Sequence, residues 1–326
     1  MVSSQMIYGG FDPSFIDINI QPFDDTGENL IKKLPSVGSH HTSTNIHFIP
    51  GGNGFNLCRT LGHLGHTVAF VGPSSQLYEY LVKVNNYPLK IIPIQNADVN
   101  FTGVLNLFEG EIQFNSVKGQ LSPENLSPEI IEYYNVSPLK SISNIALNPT
   151  SIEWICSLVL SLWSSDDVLD LLHKSNPLQL LNKQPEIDFS GVMFIDPSDI
   201  SNFSRIKEFQ LFLKELKKLH GEKYLSVNEH ELKALTHIFH KTPKELFSTI
   251  EFPVIFHSAS EVIFYGKEVV KFPTKKLETK KTFVGAGDCF NGSFIHSVFE
   301  NKSIEDSLTF AIEAASFLIE TGKYLS

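Results

Sequence analysis

Apolar and polar positions along the chain fall into short runs whose period changes repeatedly. Residues 6–8 run into Gly9-Gly10 and read as a first strand closed by a glycine turn, with a second extended piece within 11–18. Residues 20–47 are polar, contain Gly, Pro, Ser and three His, and lack helical spacing, so they read as a flexible linker or a small β excursion. A glycine cluster at 51–54 opens an amphipathic helix with Phe55, Leu57, Leu61 and Leu64 available to a core, and 67–72 is a continuous apolar strand. Residues 89–94 and 101–117 read as β pieces, the second a hairpin. Residues 143–148 read as a strand followed by a helix to Trp163, and 164–187 as irregular helix broken by Pro177 and Pro185. The second half alternates: strand 192–196, helix 205–219, strand 224–227, a helix entered at 228–231, strand 253–257, a hairpin of 261–265 with 268–272 around Gly266, and a helix after Asp288. Alternation of this kind predicts right-handed βαβ units, a mostly parallel sheet between helical layers, and ligands gathered at the carboxyl ends of the strands.

Composition narrows the function. The 326 residues are 42% apolar and 19% charged, with mean hydropathy near zero, as expected of a globular protein with one large core. A net charge of −10 argues against non-specific nucleic-acid binding and requires that any anionic substrate be drawn by local donors. Cys58, Cys156 and Cys289 form no CxxC or disulfide pattern, which fits a reducing cytoplasm. Residues 1–5 have no basic or long apolar character, so no signal peptide is expected, and the apolar run 154–163 is too short for a bilayer and reads as a buried helix. His40, His41 and His47 lack metal-site spacing.

Three segments carry candidate chemistry. Gly285-Ala286-Gly287-Asp288 precedes a helix, so successive amides and the helix dipole can converge on phosphate oxygens while Asp288 accepts a proton from an attacking hydroxyl. The alternative is a turn with Asp288 capping its helix. Gly51-Gly52-Asn53-Gly54-Phe55-Asn56 permits close approach of backbone to ligand, and Asn56 offers both a donor and an acceptor to a hydroxyl. The segment is neither a Walker A nor a dinucleotide fingerprint. Asp12 and Asp17, near the end of the first strand, can hold sugar hydroxyls, although Asp12 before Pro13 also reads as a turn residue.

Taken in order, Gly51-Gly52-x-Gly54-x-Asn56, Asn228-x-x-Glu231 and Gly285-Ala286-Gly287-Asp288 resemble the signatures of the PfkB, or ribokinase-like, family of sugar and nucleoside kinases. The resemblance covers nearly the whole chain. It implies a single domain over 1–326, a three-layer α/β/α sandwich around a mostly parallel sheet, with a small β lid from about 18–48 and 98–118. It also implies roles: Asp288 as general base, Gly285, Ala286 and Gly287 as the anion hole, and Gly51, Gly52, Asn56 and Asp17 or Asp12 at the sugar, with Asp17 favoured. Asn228, His257 and Ser258 fall at the nucleotide, and Asn228 and Glu231 act on Mg²⁺ through water. ATP or ADP would be the donor, and lid strands with exposed edges suggest a homodimer. The chain departs from the family pattern at Thr282-Phe283, where Asp-Thr is usual, at 257–261, which lacks the glycines of the nucleotide loop, and at the short segment after Gly322. Residues 154–163, 196–199 and 226–229 resemble archaeal members, some of which phosphorylate ribose 1-phosphate with ADP. The competing readings are a nucleoside kinase, a non-catalytic sugar- or nucleotide-binding protein on the same fold, and, lacking its fingerprint, a nicotinamide dehydrogenase.

Overall fold

The computed structural model describes residues 5–325 apart from 28, 34–35, 37–39, 109, 117–118, 147–149, 164–174, 183–186, 278–279 and 283. Strands β1 (Ile7–Gly10), β4 (Val68–Pro73) and β5 (Lys90–Ile94) form one parallel sheet in the order β1-β4-β5. A second sheet runs β8 (Leu139–Ser143), β9 (Ile187–Asp196), β10 (Leu219–Val227), β11 (Val254–His257), β12 (Glu261–Tyr265) and β13 (Val269–Pro273). It is parallel from β8 to β11 and antiparallel beyond. The two sheets meet where β1 lies beside β8. There Ser137 Oγ accepts from Tyr8 N (3.1 Å) and donates to Tyr8 O (2.7 Å), and Ser141 Oγ likewise accepts from Gly10 N (3.2 Å) and donates to Gly10 O (3.1 Å). Serine hydroxyls thus stitch a seam that no backbone ladder crosses.

Successive strand residues enter opposite cores, as a sheet buried on both faces requires. Met193, Ile195, Leu225 and Val227 pack with α3 (Pro128–Val136), α4 (Ser151–Ser161), α5 (Pro177–Leu181), α6 (Ile206–Leu216), α7 (Glu229–Phe239) and α8 (Pro243–Ile250). Val192, Phe194, Tyr224 and Ile255 pack with α1 (Asn53–His63), α2 (Gln76–Val84), α9 (Ala286–Phe299) and α10 (Ile304–Thr321). The result is the α/β/α layering expected from the alternation. A separate four-stranded sheet, ordered β3 (Thr44–Gly51), β2 (Phe15–Pro22), β6 (Asn100–Leu107) and β7 (Gly110–Asn115), is built from the two polar excursions.

Two boundaries differ from the sequence reading. The strand expected at 143–148 lies at Leu139–Ser143, with Asn144 at φ 54 turning the chain and 147–149 outside the described residues. Lys140 and the serines obscured it: Lys140 is 1% exposed because its ammonium donates to the carbonyls of Asn135 (3.0 Å) and Ser137. The helix expected over 205–219 stops at Leu216, and Leu219 begins β10, whose first half is polar and therefore silent in the pattern. Of the helical reading over 164–187, residues 164–174 and 183–186 lie outside the described residues, Pro177–Leu181 is helical and Ile187 opens β9.

Candidate active site

The two glycine segments, more than two hundred residues apart, meet because α1 and α9 pack closely. A Cβ on Gly292 would lie 2.8 Å from Thr60 Cβ, so only glycine lets the helices close to this distance. Their N-termini then open on one cavity of about 170 Å³, lined by Asp17, Asn53, Asn56, Asn144, Gly285 and Asp288 among others. Gly52, the N-cap of α1 at φ 103, and Gly285, the N-cap of α9 at φ 75, take left-handed backbone to make these entries. As first-turn amides, those of Gly285, Ala286 and Gly287 have no carbonyl acceptor in their own helix.

Asp288 is buried in the first turn of α9 and accepts from Asn56 Nδ2 at 2.9 Å. Asn56 Oδ1 accepts from Arg59 Nη2 at 2.8 Å, and Arg59 donates further to Tyr324 Oη and to Tyr87 Oη (3.2 Å). Asn56, expected at the substrate, therefore also orients the carboxylate. Burial pushes the Asp288 carboxyl well above the usual range and Asp196 adds to this, while Asn56 and Arg59 hold it down and Asp12 opposes them.

Asp17 and Asp12 occupy different places. Asp17, on β2, faces the cavity and lies against Gly51, where a Cβ would come within 1.9 Å of its Oδ2. Burial raises its carboxyl to about 7 against the pull of Arg59 and Thr102. Asp12 lies at the end of β1 beneath the cavity. Its Oδ2 accepts from Gly54 N (3.0 Å), Ser143 Oγ (2.8 Å) and Asn144 Nδ2 (2.7 Å), which ties the first turn of α1 to the end of β8. Burial pushes it up to about 6.

A carboxyl raised by folding favours the protonated state, so Asp17 weakens stability progressively as pH rises from about 4 to about 7. Asp17→Asn should therefore raise the melting temperature at pH 8 by a few degrees and leave it unchanged near pH 3.5. A pH series of thermal melts checks this, and equal shifts at both pH values would refute it.

Asn228 and Glu231 form a capping box on α7: Asn228 Oδ1 accepts from His230 N (2.9 Å) and Glu231 N (3.0 Å), and Glu231 Oε2 accepts from Asn228 N (2.8 Å). Glu231 is buried, and burial, then Asp196, push it well above the usual range, with Asp288 and Asp199 adding to this. Asp196 is held by Ser198 N (3.0 Å) and Asn291 Nδ2 (2.8 Å). His257 ends β11, stacks on Phe290 (5.1 Å between centroids) and lies near Gly287, and burial pushes it down to about 4, so its ring is neutral. Ser258 Oγ is engaged within the β11–β12 turn by Ser260 N (3.2 Å) and Glu261 N (3.1 Å).

Sequence reasoning missed several cavity residues. Asn53 donates to Ser198 Oγ (2.6 Å), which donates to Asn144 Oδ1 (3.0 Å), and Thr102, Gln113 and Asn115 reach in from β6 and β7. Asn144 and Ser198 sit at φ 54 and 57 just beyond β8 and β9, so strand-end Asn and Ser were the available signal. Amides, hydroxyls and the carboxylates of Asp17, Asp199 and Asp288 around so small a space suit a polyhydroxylated ligand.

Residues 198–324 match the pfkB family carbohydrate kinase model. A ribokinase of Lactococcus lactis is 36% identical over 104 residues, which is 30% of this chain and 32% of that protein, so the match spans about a third of the relative's length. Among solved structures, a phosphofructokinase-2 variant of Escherichia coli superposes with TM-score 0.67 at 15% identity, covering 98% of this chain and 94% of that one. A ribokinase of Arabidopsis thaliana complexed with ribose and ATP superposes with TM-score 0.63 at 15% identity, covering 98% and 93%.

Proposed function

We propose that the chain, whose residues 198–324 match the pfkB carbohydrate kinase model and which has the ribokinase-like fold, is a kinase of that family and moves the terminal phosphoryl group of a nucleotide to a hydroxyl of a sugar, sugar phosphate or nucleoside. The observation that carries the reading is Asp288 on the first turn of α9, beside the helix-entry amides of Gly285, Ala286 and Gly287 and across one small cavity from Asp17. Asp17, with Asn56 and the Gly51-Gly52 turn, orients the acceptor beneath the sheet β3-β2-β6-β7, which acts as a lid. Asp288 takes the proton from the attacking oxygen, and the amides stabilise charge on the transferring group. The Asp288 carboxyl must be ionised to act, and Arg59, reaching it through Asn56, favours that state.

ATP or ADP is the donor, bound toward Asn228, His257 and Ser258. The residues fit Mg²⁺: Glu231 lies close enough to Asp196 and Asp199 for their charges to act on it, and carboxylate oxygens are the hard donors this cation takes, usually with much of its water retained. Asn228 and Glu231 would hold it through water, and when bound it neutralises charge on the phosphate oxygens. Glu231→Gln, which keeps the cap on Asn228 N, should melt at or above the temperature of the natural chain at neutral pH and raise the Mg²⁺ concentration for half-maximal rate. An unchanged Mg²⁺ titration would remove Glu231 from the site.

No helix of the described residues is long and apolar enough to cross a membrane. Cys58, Cys156 and Cys289 are buried free thiols, which supports a reducing, cytoplasmic setting. The outer face of the lid exposes Ile46, Phe48, Phe101 and Phe114, a patch suited to a second copy of the chain, and sedimentation velocity measures that association.

The function is tested by incubating the protein with Mg²⁺ and ATP or ADP against ribose, ribose 1-phosphate, fructose 6-phosphate, inositol, adenosine and cytidine, scoring a mass gain of one phosphate. Gain by one acceptor identifies reaction, donor and substrate together. Thermal stabilisation by these ligands with no transfer would favour a binding protein.

A further inference from the structure

A second and larger cavity, about 790 Å³, opens beside the first. Val284 lines both, and Asn19, two residues along β2 from Asp17 and so on the same face, lines the larger. It is bounded by the lid, by α1, by residues 280–282 and Val284, and by the segment 321–324. Arg59, His63, Lys280, Lys281 and Lys323 line it, and no Asp or Glu is found in its lining among the described residues. On a chain of net charge −10 such a concentration of cations has to be assembled from separate segments. Arg59 is the decisive group. It is 5% exposed and bonds only to the neutral oxygens of Asn56, Tyr87 and Tyr324. It makes no ion pair among the described residues, and its buried Nε has no partner. Asp17 and Asp288 feel its charge only from a distance, and a buried guanidinium with no carboxylate bonded to it is costly unless an anion joins it directly. Its orientation is fixed, since it lies against the Tyr324 and Tyr87 rings (4.6 and 5.0 Å), and Tyr324 in turn stacks on His63 (5.0 Å).

We propose that this cavity binds the phosphate of a small organic phosphate other than the phosphoryl donor, with Arg59, Lys281 and Lys323 as its counter-charges. Its volume exceeds what a bare phosphate fills, so the ligand carries a further polar body facing Asn19, Gln21 and Asn85. The phosphate belongs either to the acceptor, extending from the smaller cavity, or to a separate effector. Only that last choice rests on the kinase reading. Because Arg59 also holds Asn56 against Asp288, an anion here is coupled to the general base.

Calorimetric titration of inorganic pyrophosphate into the whole chain tests the site without turnover. Three proteins are compared: the natural chain, Lys281→Glu/Lys323→Glu, and Gly287→Glu. Lys281 and Lys323 are exposed, so their reversal spares the fold. A Cβ at Gly287 meets only His257 at 3.6 Å, so the added carboxylate obstructs the anion hole without disturbing the core. Affinity should fall at least about tenfold in the double variant, as loss of charge-assisted contacts implies, and should persist in Gly287→Glu. No binding, or binding lost in Gly287→Glu and kept in the double variant, overturns the proposal. The source is then read from kinetics. Pyrophosphate competing with a phosphorylated acceptor marks the acceptor's own phosphate. Pyrophosphate changing the rate with an unphosphorylated acceptor, without competing, marks an effector.

Discussion

Asp288→Asn lowers turnover at least about a hundredfold and leaves cooperative unfolding intact. General-base assistance is worth on the order of 10²–10⁴ in rate, and asparagine retains the shape of the side chain while removing its ability to take a proton. The helix entry does not depend on the charge, because Gly285, not Asp288, is the N-cap, and the Asn56 amide still finds an oxygen acceptor. Burial and Asp196 raise the Asp288 carboxyl, so its ionised form opposes folding, and the neutral variant should melt at or above the temperature of the natural chain at pH 8. Product formation in single-turnover assays, alongside circular-dichroism melts, separates the two effects. A variant retaining most of its turnover would remove Asp288 as the base. Loss of turnover together with loss of the melting transition would show a scaffold residue instead.

Arg59→Met moves the rising limb of the pH–rate profile to higher pH and lowers the rate at pH 7. The sign follows from the groups facing Asp288. Asp196 and Asp12 raise its carboxyl, whereas Asn56 and Arg59 lower it. Removing the cation leaves the carboxylates unopposed, so less of the base is ionised at neutral pH and activity returns in alkali. Asn56 also loses the donor that fixes its amide, which adds a pH-independent loss. Arg59→Lys keeps the charge without the fork that spans Asn56, Tyr87 and Tyr324, and should lie between. A purely structural role would depress the rate equally across the pH range. Full log(kcat/KM) profiles of the three proteins distinguish these outcomes.

Arg59 and Lys118 are the cations near the glycine motifs that the sequence offers to a phosphate-bearing substrate, and Lys118 lies outside the described residues. Arg59 sits in the amphipathic run opened by Gly51–Gly54, among Leu57, Cys58 and Leu61, where spacing alone gives no sign that it is buried. Its burial depends on Tyr87 and Tyr324, which no local pattern brings near it. The other cations of the larger cavity form no cluster with Arg59 in the sequence, since Lys280-Lys281 and Lys323 are more than two hundred residues from it and meet it only in the fold. By contrast, the apolar strands and the helices between them were legible because each satisfies its burial locally, residue by residue. The glycine turns were legible because an unusual backbone conformation demands an unusual residue. Leu139–Ser143 was not legible, because Lys140, Ser141 and Ser143 are buried by partners contributed from elsewhere in the chain. The Asn228/Glu231 pair was read as a metal-side motif, and in the structure the same two side chains also cap a helix, a role that spacing alone would equally allow.

The serine-bridged seam between β1 and β8 divides the molecule along a line that the active site straddles. On one side lie β1, β4, β5, α1 and the lid with Asp17; on the other lie β8 to β13 and α9 with Asp288. Amides in a continuous ladder exchange their hydrogens only when a whole register opens, but those of Tyr8 and Gly10 are guarded by single hydroxyls that can rotate away. The seam is therefore a soft joint in an otherwise stiff layer. Asp12, bonded to Gly54 on one side and to Ser143 and Asn144 on the other, is a clasp across it. A ligand touching Asp17 and Asp288 together closes the same joint from above, so its arrival should be felt as slower isotope uptake at two backbone positions it never touches.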